Sequence, residues 1–126
     1  MNENEFIVSL EANSYVFVGQ KPVAVLFDKE RVDVKSWREV FSVILKRCNE
    51  LPENHEMLMY MREKASGKVR KFLSASPDSM TRPLQVDDSL YAETHYGSST
   101  LMHILLNRIL VYVKFDCSDI YIVLKS

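Results

Sequence analysis

The chain has 126 residues, 47% of them hydrophobic and 26% charged, which predicts one globular domain, 1–126, with a core that needs neither metal nor disulfide. Sixteen Lys/Arg against seventeen Asp/Glu leave a formal net charge of −1, which argues against a strongly basic nucleic-acid coat and against an acidic DNA mimic. Three glycines and four prolines are too few for a low-complexity or linker-dominated chain.

The acidic start, Met1-Asn2-Glu3-Asn4-Glu5, lacks the basic-then-apolar order of a secretory signal. β-Branched and aromatic residues make 6–10 and 15–18 candidate strands. Segments 23–27 and 31–35 flank the polar stretch Asp28-Lys29-Glu30-Arg31 and read as a hairpin. Ser36-Trp37-Arg38-Glu39 reads as a capping box, with the Ser36 hydroxyl accepting from the Glu39 amide and the Glu39 carboxylate reaching back to the Ser36 amide. Trp37, Val40, Phe41, Ile44, Leu45 and Cys48 then recur at helical spacing, which predicts a helix over 36–50.

Pro52 suits the first turn of a shorter helix over about 53–64. Met57, Met59 and Met61 also alternate, which keeps a strand open there. Ser66-Gly67 breaks the pattern, 69–74 reads as a strand, and the Pro-, Asp- and Ser-rich segment 75–89 as a long loop. Tyr91-Ala92-Glu93-Thr94-His95 reads as a strand, Gly97-Ser98-Ser99-Thr100 as a turn carrying a helix N-cap, and 99–113 as a helix. Its apolar face holds Leu101, Met102, Leu105, Leu106, Ile109, Leu110 and Val113, against a polar stripe of Thr100, His103, Asn107 and Lys114. Residues 116–119 turn the chain into a last strand, 120–124. The order predicts an α+β fold, a mostly antiparallel sheet packed against two main helices at 36–50 and 99–113. No internal repeat and no domain boundary is visible.

The most apolar stretch, 104–113, is interrupted by Asn107 and Arg108 and is too short to span a bilayer, so no membrane association is expected. Cys48 and Cys117, far apart in sequence, read as free thiols of a reduced cytoplasm.

Three stretches together carry a resemblance: 22–27 leading into Val34-Lys35-Ser36-Trp37-Arg38-Glu39, Phe72-Leu73-Ser74 ahead of Pro77 and Pro83, and Tyr91-Ala92-Glu93-Thr94-His95 before a serine-capped helix. Over about 22–124 the chain resembles a small α+β domain recurring in uncharacterised proteins of Gram-positive bacteria and their mobile elements. There the domain stands alone or beside restriction-type and nucleic-acid-handling modules. Its motifs are capping, packing and turn residues, more specific for fold than for function, and they bring no catalytic residues with them. This chain departs from the pattern at His95, where Asn is usual, and at Tyr96-Gly97-Ser98-Ser99, where Ser-Ala is usual. If that loop is a contact surface, its specificity differs here. A free-standing copy on a phage or plasmid also suits an anti-CRISPR-like protein.

Among candidate binding residues, Arg62, Lys64, Lys68, Arg70 and Lys71 place five cations in ten positions against Glu63, and Arg82 extends the set. Such clustering suits phosphates or an acidic protein surface, and Tyr60 and Phe72 lie nearby for base stacking; a solvated face around Gly67 is the plain alternative. His95 and Ser98 sit where a strand meets a helix N-terminus, a place that attracts anions, although ordinary capping explains the same residues. His55, His95 and His103 show no metal-ligand spacing with each other or with the cysteines. Cys48 falls on an apolar stripe, and Asp87-Asp88 reads as a turn. The residues therefore predict a non-enzyme without cofactor or metal; the resemblance implies an interaction protein of mobile-element origin with a protein partner, inhibiting a nucleic-acid-targeting defence complex, and the basic segment offers the alternative of an accessory nucleic-acid-binding module using 62–71.

Overall fold

A computed structural model describes residues 4–12, 14–17, 19–64 and 72–125. In chain order these form β1 (Glu5–Ser9), a 3-10 turn (Ser14–Phe17), β2 (Lys21–Phe27), β3 (Glu30–Asp33), α1 (Trp37–Glu50), α2 (Pro52–Lys64), β4 (Leu73–Ser74), β5 (Pro83–Asp87) and β6 (Leu90–Glu93). The last helix follows as α3 (Ser98–His103), a π-helical stretch (Ile104–Leu110) and a final α-turn, α4 (Val111–Val113), before β7 (Ile120–Lys125). The fold is α+β.

The strands divide between two antiparallel sheets, ordered β1-β7-β2-β3 and β4-β6-β5. One unit is used twice: a hairpin with a two-residue turn leads directly into a helix, as β2-β3-α1 and as β5-β6-α3. In the first hairpin Phe27 pairs with Glu30 across Asp28-Lys29, a tighter turn than the polar tetrad implies. Asp28 adopts φ 56° there, a left-handed conformation that Asp tolerates better than most side chains.

Helix α1 is the hub, touching both sheets, α2 and the last helix. All six apolar stripe residues, Trp37 to Cys48, are buried. Ser36 caps the helix by accepting from the Glu39 amide at 3.2 Å. The Glu39 carboxylate accepts from the Lys35 amide, one residue earlier than a standard capping box. The Trp37 indole N–H donates to the Gln20 carbonyl at 3.1 Å, and its ring lies 5.5 Å from that of Phe17.

Several expectations are corrected. Residues 14–17 form a 3-10 turn instead of strand 15–18, with Phe17 turned inward against Trp37 and Val16 exposed. The expected loop 75–89 contains β5, whose Leu84 and Val86 face the core while Pro83 opens the strand, where a missing N–H costs nothing. The alternating methionines lie on a helix, and Met57, Met59 and Met61 are all half-buried against the core. The last helix starts with Gly97 at its N-cap and no side-chain cap bond, so Ser98 is its first residue and not a cap.

Candidate functional site

The residues that carry the resemblance interlock. Glu93, at the end of β6, is 2% exposed. Its carboxylate accepts from the Thr81 amide at 2.8 Å, Arg82 at 2.8 Å, Thr94 at 3.1 Å and His95 at 3.3 Å. Thr94, equally buried, donates its hydroxyl to the Arg82 carbonyl at 2.7 Å and accepts from Arg38 Nε at 2.9 Å. Arg38 also donates through Nη2 to the Pro83 carbonyl at 3.1 Å. The first turn of α1 is thus tied to the start of β5 and the end of β6.

This lock gathers two of the sequence-derived candidates. Arg82 and His95 are exposed and fixed to the buried Glu93 through their amides, while Ser98 is exposed at the start of α3. Arg62 is elsewhere. It is half-buried on α2 and donates to the Ser89 carbonyl at 2.6 Å, at the far end of the β5–β6 hairpin. The five residues of β5 put roughly 17 Å between that end and Arg82. Lys68, Arg70 and Lys71 lie outside the described residues, and the Lys64 side chain is likewise not described.

Arg62 belongs to a polar brace between α1, α2 and the hairpin turn. Asn49 Nδ2 donates to Asp87 Oδ2 at 2.7 Å, His55 Nδ1 lies 2.7 Å from Asn49 Oδ1, and the Ser89 amide donates to Asp87 Oδ1 at 2.8 Å. Partial burial alone would raise the Asp87 carboxyl. The Asn49 and Ser89 hydrogen bonds, with the nearby His55 ring, outweigh it and hold Asp87 below the usual carboxylate range.

One hollow lies at the end of the last helix. It measures about 440 Å3 and is walled by Leu106, Asn107, Leu110 and Val111, by Leu10 and Glu11 beyond β1, and by the turn 114–117. A second hollow of about 380 Å3, between the start of α2 and the same turn, shares Lys114, Phe115 and Asp116 as a wall. That wall is a helix stop of the Schellman type. Lys114 takes φ 58°, its amide donates to the Val111 carbonyl, and the Phe115 amide donates to Leu110. The buried Asn54 adds a bond from Nδ2 to the Val113 carbonyl at 2.9 Å, fixing α2 to the helix end. Beside the hollows Val111 is 66% exposed, Leu51 48% and Tyr112 42%.

Carboxylates rim this corner: Glu11 and Asp116 on the larger hollow, Glu53 and Asp116 on the smaller, with Lys114 on both. The Ser118 amide and hydroxyl hold Asp116 below the usual carboxylate range, so it stays ionised. Burial pushes the Cys117 thiol up to about 11, and the Glu11 and Asp116 charges act in the same direction. Burial pushes Cys48 to about 12. Neither sulfur carries appreciable thiolate at neutral pH.

Sequence reasoning missed this corner because its walls come from three separated segments, 10–12, 51–57 and 106–117. The local trace was Val111 and Tyr112, apolar residues outside both the buried face and the polar stripe of the helix. Compared with known proteins, the chain matches no family model, no curated protein and no solved structure.

Proposed function

We propose that the protein is a non-catalytic interaction domain that acts by binding another protein. Its specific form is a mobile-element inhibitor of a nucleic-acid-targeting defence complex, anti-CRISPR-like in role. The observation that carries the binding reading is the corner at the end of the last helix. Single exposed apolar side chains are ordinary, but Val111 and Leu51 stand exposed on the walls of two adjoining hollows, the kind of patch that marks a binding surface. The inward use of Trp37, Arg38, Glu93 and Thr94 supports it further, since each joins elements instead of facing a cleft. The resemblance to mobile-element domains gives the defence complex as target.

The test expresses the chain in cells that carry a reconstituted nuclease-based defence complex and are challenged with a targeted phage. Restored plaque formation, with the chain co-purifying with a component of the complex, is the expected result. In parallel, single- and double-stranded nucleic acids are titrated across a salt series, with wild type and with Lys68, Arg70 and Lys71 reversed to Glu. Steep salt-dependent binding that the reversal abolishes, with no protein captured, replaces this reading by the nucleic-acid-binding module.

A further inference from the structure

The corner at the end of the last helix also says what kind of partner it fits. We infer that it docks a basic amphipathic segment of a partner protein, one with apolar side chains to enter the two hollows and Lys or Arg to meet their rims. This deepens the binding reading above and rests on it.

The apolar requirement comes from the walls. Leu10, Leu106, Leu110 and Val111 face the larger hollow, and Leu51 and Met57 the smaller. Each hollow lies in the size range of small-ligand pockets and has room for a large apolar side chain. Their shared wall, 114–116, separates two anchor points, so one continuous segment crossing the wall fills both.

The charge requirement comes from the rim. Among the described residues, Glu11, Glu53 and Asp116 line the hollows against one cation, Lys114. Asp116 is kept ionised by Ser118, and both Glu11 and Asp116 are close enough to act on the Cys117 sulfur. A basic segment meets complementary charge here, whereas an acidic one meets like charge across the apolar floor. The π-helical stretch contributes shape. Of its residues, Ile104–Leu110, Leu106, Asn107 and Leu110 line the larger hollow.

The probe is a dye-labelled synthetic amphipathic helix of leucine and lysine, compared with its leucine–glutamate counterpart by fluorescence anisotropy at about 0.15 M salt, where charges beyond roughly 8 Å are screened. The leucine–lysine helix is expected to bind. The Glu11→Lys/Asp116→Lys pair and, separately, Val111→Asp are expected to weaken it by about tenfold or more. The Asp33→Lys/Asp88→Lys pair, with the same charge change at exposed positions outside the corner, should change it less than about twofold. Amide resonances of the wild-type protein should shift at 106–117 and 51–57 on adding the peptide, a readout that survives if a variant folds poorly. Equal loss in both pairs, equal binding of the leucine–glutamate helix, no binding of either, or shifts confined to other segments overturns the inference. Phage protection that persists in the groove variants removes this inference and leaves the inhibitor reading. Groove binding with no protection against any complex tested supports the inference and removes the inhibitor.

Discussion

Glu93→Ala is expected to destabilise the domain by about 3 kcal/mol, mainly by releasing the segment that leads into β5. Four backbone N–H groups converge on this buried carboxylate, two of them, Thr81 and Arg82, at 2.8 Å. A hydrogen bond to a charged group contributes about 1.5–3 kcal/mol, so these two short bonds alone give roughly 3–6 kcal/mol. The longer bonds from Thr94 and His95 add less, and the amides at 81–82 recover part of the loss by binding water once the segment opens, which brings the figure to the lower end. That is a large share of the roughly 5–15 kcal/mol typical of a domain, and for this length it lowers Tm by roughly 10 °C. Urea unfolding measures it as a lower midpoint at unchanged slope, and hydrogen exchange locates it at the Thr81 and Arg82 amides. Glu93→Gln separates charge from shape. Its one carbonyl oxygen can serve the three amides now on Oε2, whereas its NH2 faces the Thr81 N–H, so it should lose less than Ala. A Glu93→Ala loss below about 1 kcal/mol, or unchanged exchange at 81–82, refutes the reasoning.

Ser36→Ala should cost about 1 kcal/mol by removing the acceptor of the Glu39 amide, and unchanged melting would show that the cap does not hold α1. Lys114→Gly should raise stability by about 0.5 kcal/mol, since only glycine takes φ 58° freely; a lower urea midpoint would show that the lysine side chain matters more than the turn. Asp87 is depressed below 3.8, so its contribution is present above that value and is lost as pH falls through its folded pKa. The stability gap between wild type and Asp87→Asn should therefore shrink between about pH 5 and pH 3, and a gap independent of pH would contradict the brace. Cys48 and Cys117, raised to about 12 and about 11, should react slowly with iodoacetamide at pH 8 in the native protein and fast in denaturant; native rates equal to those of a free thiol would overturn their burial.

Helix α1 was legible because its stripe repeats at helical spacing for six apolar residues and its cap is a local motif. Strand β5 was not, because two inward residues, Leu84 and Val86, stand between Pro83 and Asp87-Asp88, and those flanking residues are the usual marks of a loop. The turn at 14–17 was misread as a strand because its conformation is set by Phe17 against Trp37, a contact between residues twenty positions apart. Glu93 looked like one more strand residue, since the amides at 81–82 that it holds lie eleven and twelve positions upstream. The groove left less trace still, as its walls meet only in three dimensions.

The same contrast bears on where specificity resides. Trp37, Arg38, Glu93 and Thr94 satisfy backbone groups on other elements and Ser36 caps its own helix, so substituting any of them strands a donor or an acceptor. A motif of this kind tracks the fold and is silent about what the fold binds. Residue 95 behaves differently. Its amide is held by Glu93, but its side chain is exposed, so the backbone keeps its place whatever side chain it bears. Ser98, at the start of the last helix, is exposed and caps nothing. At the other end of that helix Val111 and Tyr112 are exposed in the same way. Positions that leave the internal bonds untouched can change without destabilising the domain. Val111→Ser and Tyr112→Ser together should therefore leave the urea midpoint nearly unchanged, whereas Val113→Ser, at a buried position of the same helix end, should lower it.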